Sequence, residues 1–110
     1  MADVIPGVTA AAVSDDDYLL DVREPDEWAA GHAPGAHHLP MMEVPARLAE
    51  VPRDRPVVVV CRSGNRSGQV IAYLQGHGFT NLRNLDGGMH AWAQERRPMV
   101  SDDGRPAQVI

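Results

Sequence analysis

The sequence predicts an α/β fold: a central, mostly parallel five-stranded sheet flanked by helices. Three observations carry that expectation. Val57, Val58, Val59 and Val60 put four β-branched residues in a row, the mark of a strand buried on both faces. About five strand-like stretches alternate with helix-like ones, as parallel sheets require. Finally, the valine run leads straight into the chain's only cysteine, Cys61, then a short polar loop and a helical stretch over 67–76. A nucleophile therefore stands where a buried strand ends and a helix begins, which is where open α/β sheets bind ligands.

The elements follow in order. Only residues 3–5 offer a first strand, and Pro6 cuts it short. Residues 8–13 read as a short helix with Thr9 as its cap, and 14–17 as a solvated acidic turn without calcium-loop spacing. Residues 18–22 form a core strand. Residues 25–30 form a helix, with Pro25 in its first turn, Asp26 and Glu27 at its positive end and Gly31 as its stop. Trp28 reads as a core or boundary aromatic. Residues 43–50 form a helix with Pro45 in the first turn and Leu48 inward. After the cysteine loop, Val70, Ile71 and Leu74 share a helical face. The last strand lies within 79–85. Gly87 and Gly88 make a tight turn into a final helix whose Met89, Trp92 and Ala93 share a face, and Pro98 stops it. Residues 99–110 lack periodicity and read as a loose tail.

Length and composition bound the function. The 110 residues suit a single domain, 1–110, with its core over about 8–98. The 44% hydrophobic content and mixed charge suit a soluble globular protein. The net charge is −5, and all ten basic residues are arginines with no dense patch, which argues against nucleic acid. One cysteine excludes an internal disulfide framework and a cysteine-only zinc site. The amino-terminal residues show no basic segment followed by an apolar run, and no stretch is long enough to span a bilayer. A cytoplasmic, reducing location is the expectation. His37 and His38 would face opposite sides of a strand, so they make no ready metal pair.

The loop at Cys61 carries the chemistry. If Arg62, Ser63, Gly64, Asn65 and Arg66 curl around the sulfur, their N–H groups form an anion-binding nest. The following helix adds its positive end, and Gly64 supplies backbone freedom. These effects favour a thiolate. A free cysteine of pKa about 8.5 is only a few per cent ionised at neutral pH, whereas one near about 6.5 is mostly thiolate. An inert buried cysteine is the competing reading. Arg62 and Arg66 are expected to attract and orient an anionic substrate, and Ser63, Asn65 and Ser67 to fix the loop. Asp21 and Arg23 could act as acid and anchor, but buried charges are usually paired, so the preferred role is bracing the neighbouring loops.

At these residues the chain resembles the rhodanese family of sulfurtransferases, over about 8–98. The resemblance rests on Asp21-Val22-Arg23-Glu24, Glu27-Trp28, Gly31-His32-Ala33-Pro34-Gly35-Ala36, the loop from Cys61 to Arg66, and Leu85-Asp86-Gly87-Gly88-Met89-His90-Ala91-Trp92. Each is weak alone, and their order and spacing make the case. It implies a rhodanese-like sheet with a short strand at 36–39, a structural role for His32, and a turn and Trp92 bordering the active face. Cysteine-dependent phosphatases place five residues between cysteine and arginine; here four separate Cys61 from Arg66. The resemblance ties this tighter loop to a single sulfane sulfur, which demotes a phosphatase or arsenate reductase.

The implied reaction is covalent and two-step. Cys61 takes sulfur from thiosulfate or a persulfide donor, and cyanide or a thiol removes it. No cofactor and no metal are expected, and a sulfur-carrier protein is a conceivable partner. The alternative from another class is a non-catalytic binding or regulatory module, a use of such domains typically accompanied by loss of the cysteine.

Overall fold

In the computed structural model, which describes residues 4–110, five strands form one sheet in the order β1-β5-β4-β2-β3. They are β1 (Gly7–Val8), β2 (Tyr18–Asp21), β3 (His37–His38), β4 (Val57–Val60) and β5 (Leu82–Leu85). Every pairing is parallel. The helices are α1 (Pro25–Ala30), α2 (Asn65–Gln75) and α3 (Gly88–Gln94), with two 3-10 segments at Ala10–Ala12 and Met41–Glu50.

The four valines of β4 explain the layering. All are buried, and alternate side chains leave opposite faces. Val57 and Val59 pack with Val70, Ile71 and Leu74 of α2 and with Val44 and Leu39. Val58 and Val60 pack with Met89 and Trp92 of α3, with Val8 and with Leu85. Burying four such side chains from both sides contributes on the order of 6–8 kcal/mol, which makes β4 the keel of the sheet.

The strand order places the site. From β2 the chain crosses α1 to β3 on one side, and from β4 it crosses α2 to β5 on the other. The connections diverge at the carboxyl ends of β2 and β4, leaving a crevice between them. Asp21 pairs with Val60 there, and the Val22 N–H donates to the Val60 carbonyl at 2.9 Å.

Several local expectations are corrected. The first strand is Gly7–Val8; of the stretch expected instead, Val4 and Ile5 are exposed and Asp3 lies outside the described residues. Pro6 has no N–H to give, but its carbonyl accepts from Asn84 N at 2.8 Å, so the edge pairing starts just past it. Ala10–Ala12 is a single 3-10 turn that the Thr9 side chain does not cap. Met41–Glu50 is 3-10 rather than α-helix and breaks at Arg47 (φ −127°, ψ 31°), just after Pro45, which brings no N–H. In α3, Met89 and Trp92 are buried but Ala93 faces solvent.

The carboxyl-terminal segment is not loose. His32 and Val100 exchange main-chain hydrogen bonds at 2.9 Å, Asp102 N donates to Ala29 O at 2.9 Å, and Gln108 N to Ala30 O at 3.0 Å. The physical reason lies in α1: a helix end leaves carbonyls without intrahelical donors, and residues 99–110 supply them. A side chain at Gly31 would strike the Gln108 backbone, so its lack of a Cβ permits this approach.

Candidate active site

The site is assembled where β4 ends. Cys61 follows Val60, its side chain almost fully enclosed at 1% exposure. The chain turns through Arg62 and Ser63 to Gly64, whose φ of +105° is a left-handed conformation that disfavours any Cβ-bearing residue. That turn brings Gly64 N–H to Cys61 Sγ at 3.0 Å. α2 then begins at Asn65, two residues ahead of the expected start, and its first turn carries the fully buried Ser67. Ser67 Oγ reaches Sγ at 3.2 Å.

The loop's carbonyls are taken up elsewhere. Met89 N donates to Cys61 O at 2.9 Å and His90 N to Arg62 O at 3.1 Å, both from the start of α3. This needs close backbone contact: Gly88 sits at φ +57°, and a Cβ there would collide with the Cys61 and Arg62 carbonyls. The Gly87-Gly88 turn therefore does more than redirect the chain. It binds the outer side of the loop, so that amides are left for the sulfur.

The electrostatic result favours ionisation. Burial pushes the Cys61 thiol up. The Ser67 hydroxyl and the N–H groups of Ser67, Gly64 and Ser63 pull it down, and the net effect lies below the ordinary thiol value.

The flanking arginines do something other than the sequence suggests. Arg66 forms a two-pronged pair with Glu27 at 2.7 and 2.8 Å, tying α2 to α1. That contact holds the Glu27 carboxyl below the usual range against the opposing effect of burial, and Arg66 above its own. Arg62 turns to the tail, its Nε donating to Ile110 O at 2.8 Å. Asn65 is exposed at the head of α2. Thus Cys61, Ser63, Gly64 and Ser67 converge, whereas both arginines are engaged with protein partners.

Asp21 and Arg23 form a closed, buried pair. Arg23 Nη2 meets Asp21 Oδ2 at 2.8 Å, and the same guanidinium donates to Gly31 O at 2.8 Å and Glu27 O at 3.3 Å. These contacts are directed at the end of α1. His32 and His38 stack on the two sides of Trp28, with ring centroids 3.6 and 4.7 Å away. Two contributors escaped sequence reasoning. In the sequence Glu27 stands as a helix-start carboxylate and part of the Glu27-Trp28 motif, with no sign of its pairing with Arg66. Asn84, on β5, bonds both Gly64 O (3.1 Å, through Nδ2) and Ser67 Oγ. Its one sequence signal is a polar pair, Arg83-Asn84, interrupting Leu82 and Leu85 in a strand.

Comparison with known proteins identifies the family. Residues 7–95 match the rhodanese-like domain family. The chain is 46% identical over 93 residues to a sulfurtransferase of Allochromatium vinosum, covering 84% of this chain and 87% of that one. It is 42% identical over 74 residues to the thiosulfate sulfurtransferase GlpE of Pseudomonas entomophila, covering 67% and 68%. A rhodanese-related protein from Thermoplasma volcanium superposes with a TM-score of 0.80 at 30% identity, over 86% of this chain and 97% of that structure. From β1 through the end of α3, this chain is a member of the rhodanese-like domain family.

Proposed function

We propose that the protein is a rhodanese-type sulfurtransferase that carries a sulfane sulfur as a persulfide on Cys61. The observation that supports this best is the one-sided solvation of Sγ: donors from Gly64 and Ser67 reach a buried sulfur at the head of α2. The Cys61 thiolate attacks the outer sulfur of a donor such as thiosulfate. The sulfur–sulfur bond breaks and sulfite leaves with its electron pair. The persulfide's terminal sulfur carries the negative charge, for which the loop's N–H groups and the positive end of α2 are suited. A thiophilic acceptor, cyanide or a thiol, then attacks that terminal sulfur and the Cys61 thiolate departs. With cyanide the product is thiocyanate.

No cofactor takes part in either step. The donor is a small anion or a persulfide, the second substrate a thiol or cyanide, and a sulfur-carrier protein fits the same acceptor role. A reducing compartment such as the cytoplasm suits this thiol, and among the described residues no helix is long and apolar enough to cross a membrane. Steady-state thiocyanate formation tests the reading. Wild type should turn over with ping-pong kinetics, and Cys61→Ser should not. Equal turnover by both would refute it.

A further inference from the structure

Asn84 stands on the strand beside the nucleophile's own, paired with Val59 of β4. Its side-chain amide makes two bonds, one to each of two residues that donate to Cys61 Sγ. Nδ2 donates to the Gly64 carbonyl at 3.1 Å, and Oδ1 accepts from Ser67 Oγ at 2.5 Å. The Gly64 contact decides which end of the amide is which, because an amide oxygen there would face a carbonyl oxygen. Oδ1 is therefore an acceptor pointed at Ser67.

The Ser67 hydroxyl has one proton and two acceptors in reach, Asn84 Oδ1 at 2.5 Å and Cys61 Sγ at 3.2 Å. It cannot serve both. When Cys61 is a neutral thiol, S–H donates to Oγ and the hydroxyl proton goes to Oδ1. When Cys61 is a thiolate, the hydroxyl proton turns to sulfur and Oδ1 gives it up. Ser67 is buried completely, so water does not supply a third partner from bulk solvent.

We propose that Asn84 is a positioning residue that competes with the Cys61 sulfur for the Ser67 proton, so that the hydroxyl donates to Sγ only while Sγ carries the negative charge. One consequence rests on the sulfur-transfer reading above. In the persulfide the charge moves to the terminal sulfur, and Sγ becomes a neutral bridging atom and a weak acceptor. The Ser67 proton then returns to Asn84, which favours the loaded form over the bare thiolate.

The charged groups nearest on the surrounding elements have other partners or face solvent. Arg66 on α2 is closed on Glu27 of α1, Asp21 of β2 on Arg23 and Arg83 of β5 on Asp17, and Asp86 is exposed. Arg62 is bonded to Ile110, and His90 on α3 is exposed.

The test is the ultraviolet absorbance of the thiolate as a function of pH, with Cys61→Ser as blank. It is read in wild type, Asn84→Leu, Ser67→Ala and the double variant. Leucine keeps the branching at Cγ and can neither accept nor donate. Asn84→Leu should move the Cys61 inflection down by about 0.5–1 pH unit, since the hydroxyl is freed for the sulfur. Ser67→Ala should move it up, and in that background Asn84→Leu should change nothing further. An upward or absent shift in Asn84→Leu, or the same shift in both backgrounds, would overturn the proposal and point to support through Gly64. Asn84 is only half-buried, and Asn84→Ala provides the same reading if the leucine variant folds poorly. Thiolate absorbance needs no sulfur donor. The expected shifts without thiocyanate formation would therefore count against sulfur transfer and leave the proton competition standing.

Discussion

β2 and β4 lie side by side, paired from Tyr18↔Val57 to Asp21↔Val60, and both end in buried polar chemistry at the same crevice. They solve the problem of burial in opposite ways. At the end of β2, the Asp21 carboxylate and the Arg23 guanidinium neutralise each other, and two further N–H groups donate to Gly31 and Glu27. At the end of β4, Cys61 receives hydrogen bonds from neutral donors, and among the described residues no cation is bonded to it. The first arrangement is closed on itself and holds shape. The second stabilises a negative charge without cancelling it, which leaves a nucleophile. Two polar groups enclosed to nearly the same degree thus have different uses, and the difference lies in whether the charge has been closed off.

Substitutions at each end should separate these uses. The largest effect belongs to Cys61→Ser, which should abolish persulfide formation and lower turnover by a factor on the order of a thousand or more, while leaving the thermal midpoint nearly unchanged. Asp21→Ala should do the reverse. Leaving the Arg23 guanidinium buried and unpaired costs about 3–5 kcal/mol, measurable by urea unfolding. If Asp21→Ala were as stable as wild type and lost turnover instead, the contrast between the two ends would fail.

Next in size is Ser67→Ala. Loss of one hydrogen bond to a charged acceptor should raise the Cys61 pKa by about one unit and cut the thiolate fraction at neutral pH severalfold, read by absorbance. The sign also shows in stability. A thiol held low in the folded state stabilises it fully above the ordinary thiol pKa, and that contribution is lost as pH falls through the lowered folded value. Ser67→Ala should flatten this pH dependence. The smallest effect is expected of Glu27→Gln, which weakens the tie between α1 and α2 by about 1 kcal/mol and frees Arg66. The freed arginine should lower the KM for thiosulfate. Wild-type stability from the pair should fade only in acid, below the usual carboxylate range, because Glu27 is held low.

What was legible in the sequence follows from the range of the interactions. Val57 to Val60 betray a two-sided strand because burial on both faces leaves no polar alternation. The Cys61 loop is legible because its main elements, strand end, glycine turn, serine and helix head, are contiguous. Asp21 and Arg23 are two residues apart, so their pairing could be anticipated. Glu27 and Arg66 are separated by 39 residues, Ser67 and Asn84 by 17, Arg62 and Ile110 by 48. No local pattern encodes such partners, and so the arginines read as free anchors. The carboxyl-terminal segment failed for a related reason. It has no periodicity because it pairs irregularly with the unsatisfied end of α1, and only the fold reveals that need. The first strand lies beyond Pro6 because proline lacks an N–H but keeps a carbonyl, and that carbonyl starts the pairing with β5.

The most direct measurement is intact-protein mass spectrometry of wild type and Cys61→Ser after brief exposure to thiosulfate and, in parallel, to a low-molecular-weight persulfide. A gain of one sulfur atom on the wild type alone, removed by cyanide as thiocyanate, is the predicted result. No gain from either donor, in a folded protein whose Cys61 ionises below the ordinary thiol value, would contradict the claim that this loop exists to carry a sulfur.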